Sequence, residues 1–304
     1  MRSPRITLEQ WAALRAVVEE GTFARAAEAL NKSQSSISYA ISRLNEQLPS
    51  PALEIQGRKA ELTREGRVLY RRAVQLLRQA SETEDAAGLL AQGIEPEVTL
   101  AVDCLLEPGQ LIPSLETFSA RYPGTRVRLL ETALSGTEEA LLEKQADLVI
   151  GSKVPVGYLG TPIKSVEMIP VAVPDHPLFE LARQGDGMVN EWELRSHRQL
   201  VLRDTGTRRE QDAGWLGSEQ RWTVSHFSSS VRLLRSGLAF AFLPRDWVAD
   251  ELAAGVLKPL PLSMGGNRIV PLYLMMAAAE NCGPASRALA ELLLKAFPTT
   301  GEHP

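Results

Sequence analysis

Residues 21–48, GTFARAAEALNKSQSSISYAISRLNEQL, decide how the first part of this chain folds. Gly21 stops a preceding helix at the position after its last turn, where a left-handed backbone favours glycine. Thr22 then caps a second helix whose inner face is Phe23, Ala26, Ala27 and Leu30. Asn31-Lys32 forms a tight turn, and Ser33 caps a third helix from Gln34 to Leu48. Ile37, Ile41, Leu44 and Leu48 fall on one side of it at helical spacing. So short a turn forces the two helices to cross steeply. The third helix turns Gln34, Ser35, Ser38, Tyr39, Ser42 and Asn45 outward. A glutamine can pair bidentately with adenine, and serines can meet base edges or phosphates. The free helix ends at Thr22 and Ser33 suit phosphate. A plain three-helix bundle would pack equally well. A purely solvated face, however, would carry more Glu and Lys than this Ser/Gln run.

Working outward, Leu8 to Glu20 predicts a first helix, with Leu8, Trp11, Leu14, Val17 and Val18 spaced for burial. Pro49 and Pro51 end the third helix. Leu53–Ile55 and Ala60–Leu62 predict two short strands around a basic turn, Gln56-Gly57-Arg58-Lys59. Thr63 opens a long helix to about Leu90, with Leu69, Ala73, Leu76, Leu77, Ala80, Ala87 and Leu90 on one face. Arg67, Arg71, Arg72 and Arg78 lie on the other. So long an apolar stripe needs a partner, and a second copy of the helix is the simplest one. Gly93-Ile94-Glu95-Pro96 ends it. Charge is uneven: the first 80 residues are net +5 and the remainder net −9. A basic head on an acidic body points to a polyanion as the partner of the head.

From Val98 the pattern alternates between strand and helix. Strands are expected at Val98–Val102, Arg126–Leu130, Asp147–Gly151, Met168–Val173, Gln199–Leu202, Ala239–Phe242 and Tyr273–Ala277. Helices are expected at Leu111–Arg121, Thr137–Gln145, Val231–Ser236, Asp246–Ala254 and Ala285–Phe297. Such alternation means parallel sheet with crossover helices, here in two α/β lobes with a cleft between them. The chain of 304 residues thus divides into a head at 1–62, a linker helix at 63–94 and a body at 95–304. The fold class is α+β multidomain.

These residues carry a resemblance. The head resembles the winged helix-turn-helix of the LysR-type transcriptional regulators, through Gly21-Thr22-Phe23, Arg25-Ala26-Ala27-Glu28-Ala29-Leu30, Ser33-Gln34, Ser38, Ile41 and Arg43-Leu44. Glu54, Gly57-Arg58, Leu62-Thr63 and Glu65-Gly66 continue it without a gap. The body is similar to the periplasmic-binding-protein-like effector domain of that family, at Tyr122-Pro123-Gly124, residues 147–151 (DLVIG), residues 175–178 (DHPL) and Gly237-Leu238-Ala239 through Leu243-Pro244. Departures are Ser35-Ser36 where Pro-Ala is common, Asn45 for a frequent Glu, Pro49-Ser50 for Gly-Val, and Ile55 for an Arg.

The resemblance implies a sequence-specific regulator of double-stranded promoter DNA, with Thr22, Arg25, Ser33, Gln34, Ser35, Ser38, Tyr39, Ser42, Arg43, Arg58 and Lys59 on the nucleic acid. It implies a homodimer through the linker helix, a homotetramer through the bodies, and contact with RNA polymerase. It also implies a small-molecule effector between the lobes. Ligands of open α/β sheets lie beyond the carboxyl ends of strands. Asp103, Cys104, Leu105, Thr132, Ser152, Thr205, Thr207, His226 and Phe227 are the expected lining. Asp103, where many relatives place Ser or Thr, leads us to expect a polar, cationic or zwitterionic metabolite; the alternative is that it caps the following helix or pairs with Arg203.

Other classes find little support. No GxGxxG, P-loop, HExxH or GxSxG motif is present, so an enzyme is not expected. His226 near Ser228–Ser230 has no orienting carboxylate in the sequence, and no cofactor or metal is expected. Cys104 and Cys282, the only cysteines, form no CxxC pair, and a buried structural role is expected for Cys104. Trp192, Trp215 and Trp222 suit packing better than a ligand cage. No apolar run spans a membrane, and the first residues have no secretory core, so a cytoplasmic protein rather than a secreted solute-binding one is expected.

Overall fold

The computed structural model describes residues 3–56, 59–208, 215–263, 265–278 and 282–297. It divides into two compact units, residues 1–88 and 89–304. Among the described residues no helix is long and apolar enough to cross a membrane.

In the first unit, α1 (Leu8–Glu20) begins with a capping box between Thr7 and Gln10 and ends at Gly21, which adopts φ 74°. Helix α2 (Phe23–Ala29) is capped by Thr22 and α3 (Gln34–Gln47) by Ser33, as their hydroxyls predict. Leu14, Val17, Ala26, Ala27, Ile37, Ile41 and Leu44 are all buried and make one core. Strands β1 (Leu53–Gln56) and β2 (Lys59–Leu62) pair antiparallel, Leu53 opposite Leu62. Helix α4 (Arg64–Ala91) starts where the Thr63 hydroxyl accepts the Gly66 amide at 2.8 Å. A Cβ on Gly66 would come within 1.9 Å of the Ala52 carbonyl oxygen, so this crossing admits only glycine. Along the rest of α4 Ala73 is buried, while Val68, Leu76 and Leu90 are exposed.

The second unit is built on a sheet that continues through both lobes. Strand β3 (Glu97–Asp103) leads to a 3-10 turn (Pro108–Leu111) and α5 (Ile112–Arg121). Then come β4 (Arg126–Thr132), α6 (Ser135–Leu142), β5 (Leu148–Gly151) and β6 (Gly160–Ala172). Helices α7 (Pro177–Gln184) and α8 (Glu191–Arg195) precede β7 (Gln199–Leu202) and β8 (Arg221–Val224). Helix α9 (Phe227–Leu234), β9 (Phe240–Pro244), a 3-10 turn (Arg245–Val248), α10 (Ala249–Ala253) and β10 (Lys258–Pro259) follow. Strand β11 (Arg268–Met276) and α11 (Pro284–Ala296) close the chain. The strand order is β4-β3-β5-β11-β6-β9-β7-β8, with β10 beside β6. Strand β3 runs parallel to β4 and β5, and β7 runs parallel to β8 and β9. The long antiparallel pair β6–β11 joins the two parallel groups. The core is apolar on both sides of this sheet: Val98, Leu100, Ile150, Ile169, Leu243 and Leu293 are each at most 1% exposed.

Several expectations need correction. Strand β6 starts at Gly160, eight residues before Met168, because it pairs with β11 from Gly160 opposite Met275 onward. Only Ile163 and Val166 are buried in that first half, which leaves no apolar run to notice. Helices α7 and α8 and strands β8 and β10 are additions to the pattern expected from the sequence. The helix expected at 246–254 is a 3-10 turn followed by the short α10. Helix α6 begins at Ser135 rather than Thr137, because its first amides are capped by a residue far along the chain.

Candidate functional site

On the head, helix packing consumes Ile37, Ile41 and Leu44 and leaves the opposite face of α3 open. Gln34, Ser35, Ser38 and Ser42 are exposed, and Tyr39 is 68% exposed. The Ser33 hydroxyl accepts the Ser36 amide at 3.2 Å and shares hydrogen bonds with the hydroxyls of Ser35 and Ser36. Thr22 accepts the Arg25 amide at 3.3 Å, and Arg25 lies 3.8 Å from Glu20. Arg43 pairs with Glu46 at 2.6 Å, and Ser42 donates to the same carboxylate at 3.1 Å. Asn45 is not on the open face: it is half-buried and turned to the start of β1. Arg58 lies outside the described residues, as does the side chain of Lys59. Arg64, Arg67 and Arg71 open α4 on its exposed side.

In the body, the carboxyl ends of β3, β4, β5 and β7 do meet. Asp103 is 3% exposed. Its carboxylate accepts from the Leu105 amide at 3.0 Å, the Cys104 thiol at 3.5 Å and the Thr137 hydroxyl at 3.3 Å. Thr137 in turn shares a hydrogen bond with Thr132 at 2.9 Å. Asp103 therefore caps the turn after β3, and exposed Arg203 is not among its partners. Burial raises its pKa to about 6, against the pull of these hydrogen bonds. Burial, with the Asp103 carboxylate beside it, pushes the Cys104 thiol well above its usual range. That gives an inert thiol rather than a reactive one.

Leu105 packs against the core. Ser152 sits half-buried at the end of β5. Phe227 is buried and meets Trp247 edge-on at 5.9 Å, so it belongs to the core rather than to an open lining. His226 stands exposed at the head of α9, with Nδ1 3.4 Å from Glu131 of the first lobe. The Trp247 indole donates to the Cys104 carbonyl at 2.9 Å. A cavity of about 10 Å³ beside Asp103, Cys104, Glu131 and Trp247 has room for about one water.

A close contact between the lobes joins Thr205 and Thr207, which the sequence singles out, to Asp204, Ser135 and Glu139, which it does not. Asp204, after β7, accepts the Ser135 amide at 3.1 Å and its hydroxyl at 2.7 Å. It also accepts the Gly136 amide at 3.4 Å. Glu139 of α6 accepts in return the Thr207 amide at 2.8 Å and the Arg208 amide at 2.9 Å. Those amides, Thr207 first, hold the Glu139 carboxyl below its ordinary value. The Thr205 hydroxyl accepts the Ala133 amide at 2.8 Å. A Ser-Gly pair at a helix start and an Asp-Thr-Gly-Thr run after a strand were the only signals available. Neither carries a partner in its sequence. Among the described residues no group of three His, Cys, Asp or Glu side chains could hold a metal ion.

A helix-turn-helix head with an uncommitted polar third helix, followed by a two-lobed α/β body, defines a ligand-responsive DNA-binding regulator. Residues 8–67 match the bacterial regulatory helix-turn-helix protein, lysR family, and residues 91–298 match the LysR substrate binding domain. The chain belongs to the LysR-type transcriptional regulators, a family of regulators and not of enzymes. It is 29% identical over 251 residues to the uncharacterized HTH-type transcriptional regulator YeeY of Escherichia coli K12, covering 80% of this chain and 79% of that protein. It is also 29% identical over 312 residues to a probable RuBisCO transcriptional regulator of Nostoc sp. PCC 7120, covering 96% of this chain and 89% of that protein. Its fold is similar to full-length LysG from Corynebacterium glutamicum, with TM-score 0.52 and 20% identity over 96% of this chain and 98% of that one. LysG solved with bound effector arginine gives the same TM-score at 19% identity, over the same shares of the two chains.

Proposed function

We propose that the open face of α3 enters the major groove of promoter DNA, with Gln34, Ser35, Ser38, Tyr39 and Ser42 toward base edges. Thr22, Arg25, Ser33 and Arg43, with Arg58 and Lys59 of the wing, take the phosphates. The observation that carries this reading is an exposed Ser/Gln/Tyr face on a helix whose other side is fully committed to the core. The residues fall into a division of labour: head 1–62, dimerising helix 63–94, sensing body 95–304. Exposed Val68, Leu76 and Leu90 supply the pairing face of a homodimer, and the bodies assemble it into a homotetramer. The protein works in the cytoplasm, and RNA polymerase is a further partner at the promoter.

The effector is a small metabolite held at the seam where Asp103, Cys104, Thr132, Ser152, Thr205, Thr207 and His226 gather. Its binding favours one arrangement of the lobes and so changes how the heads sit on DNA. Because Asp103 is enclosed and spent on its own turn, it does not by itself select a cation. A gel shift of the full chain on the DNA beside its own gene tests the head. A thermal-shift screen of small metabolites, amino acids first, tests the body through stabilisation by mass action. A protein that ignores that DNA at all salt concentrations overturns the reading.

A further inference from the structure

Two carboxylates clasp the lobes reciprocally. Asp204 of the second lobe caps the first amides of α6. Glu139 of α6 caps the amides of Thr207 and Arg208, and Arg208 reaches Glu143, just past the end of that helix, at 2.5 Å. The fit is too close for any other side chains at two positions. A Cβ on Gly136 would fall 2.0 Å from the Thr205 hydroxyl, and one on Gly206 would fall 2.0 Å from the Ser135 hydroxyl. Leu134, directly before α6, is held at φ 55° and ψ −118°, a backbone state that costs free energy unless its surroundings enforce it. Ala133, next to it, is gripped on both sides: its amide donates to the Thr205 hydroxyl, which donates back to its carbonyl at 3.0 Å.

The start of a helix offers unpaired amides and partial positive charge, and suits a carboxylate. Here the chain supplies that carboxylate itself, from a residue 69 positions away in sequence. A tethered carboxylate competes at high effective concentration with any free acid. We propose that residues 204–208 form a latch on α6, that Asp204 keeps the α6 start closed to acidic effectors, and that release of this latch is the step by which the body switches the heads. This rests on the reading of the lobe seam as the effector site. The latch is a two-state element of the kind an effector can bias, and the strained Leu134 turn relaxes when it opens.

The test uses the full chain with Asp204→Ala and, as a milder variant at half-buried Glu139 of α6, Glu139→Gln. Hydrogen exchange at residues 133–137 and 205–208 should speed up at least tenfold in both, with little change in β3 or β5. Sodium formate, against sodium chloride at equal ionic strength, should raise the melting temperature of Asp204→Ala by several degrees more than that of the wild type. On the DNA beside its own gene, Asp204→Ala should bind with an affinity or footprint at least fivefold different from wild type, and formate should return it toward wild type. Equal formate response in the two proteins overturns the self-filled site. Faster exchange with unaltered DNA binding overturns the switching role. Should Asp204→Ala fail to fold, the exchange and DNA readouts on Glu139→Gln decide alone. A wild type that does not bind that DNA refutes the regulator reading instead, so the two failures are told apart.

Discussion

Asn45 of α3 grips the backbone at Ala52, accepting its amide at 2.9 Å while donating to the next carbonyl, that of Leu53, at 3.1 Å. The recognition helix and the first wing strand are thus joined by one side chain rather than by the Pro49–Pro51 linker alone. The same short stretch is pinned from the other side, where the Thr63 hydroxyl donates to the Pro51 carbonyl at 2.8 Å.

Asn45→Ala should therefore act on both stability and DNA binding. It leaves a half-buried amide and carbonyl unpaired, a loss of roughly 1–3 kcal/mol. Urea unfolding should show a lower midpoint with unchanged slope. DNA affinity should fall by more than the stability change explains, because the wing is no longer held at a fixed angle to α3. Wild-type affinity in a stable variant would show that the grip is only structural.

Arg43 is paired at 2.6 Å with Glu46, which also takes the Ser42 hydroxyl, so one carboxylate competes with phosphate for Arg43 and with base edges for Ser42. Glu46→Gln should tighten binding several-fold at low salt and steepen the salt dependence by up to about one phosphate contact. Arg43→Ala should weaken binding to all sequences alike. Gln34→Ala should cost about 1–3 kcal/mol at a single base position. Binding titrations on a set of single-base variants separate the two patterns; a uniform loss from Gln34→Ala refutes its place over a base edge.

How far the fold could be read depended on how local its causes are. Helices α1, α2 and α3 announce themselves within a few residues, through the Thr22 and Ser33 caps and the spacing of Leu14, Ile37 and Leu44. The short buried strands β5 and β7 do so as well. The second half of β6, from Met168, does too; its first half does not, because Thr161, Lys164, Ser165 and Glu167 break up its apolar residues. At the seam, the strand ends were found by a topological rule, while the partners were not. Asp204 reaches Ser135 across 69 residues, and nothing in either neighbourhood names the other. Asn45 was misplaced for a related reason. Helical spacing puts it near Ser38 and Ser42, and only the position of Ala52 shows that it turns inward.

Helix α4 buries Gly66 and Ala73 and leaves Leu76 at 42%, Val68 at 50% and Leu90 at 62% exposure. Leu76→Glu should break the dimer without touching the head core. Leu69 packs against that core, so a charge there would unfold the head and test nothing about pairing. Light scattering should give about half the wild-type mass at micromolar concentration, and DNA affinity should fall by at least tenfold as two-headed binding is lost. An unchanged mass would move the pairing surface elsewhere.

Two buried groups set opposing pH dependences in the body. His176 caps α7, its Nδ1 accepting the Leu178 amide at 3.2 Å, and burial with neighbouring His197 lowers its pKa to about 4. Unfolded, it titrates near 6.5. Its contribution to stability is full above about 6.5 and is lost as pH falls toward 4. Asp103 is shifted the other way, to about 6 from an unfolded value near 3.9. Its contribution is full below about 4 and is lost as pH rises through 6. Between 4 and 6 the two slopes oppose one another, each at most about 1.4 kcal/mol per pH unit. Asp103→Asn keeps an acceptor for Leu105, replaces the acceptor facing Thr137 with an amide donor that the Thr137 hydroxyl meets by turning to accept, and removes one slope. Relative to wild type, it should gain about 1–2 kcal/mol between pH 4 and pH 7. His176→Asn keeps a side-chain cap for α7 and should lose on the order of 2 kcal/mol relative to wild type over the same rise. Urea midpoints at four pH values give both difference curves, in which the titration of all other carboxyls cancels. Parallel curves for the three proteins would mean that neither group changes its proton affinity on folding, and that the enclosure of Asp103 is looser than its 3% exposure implies.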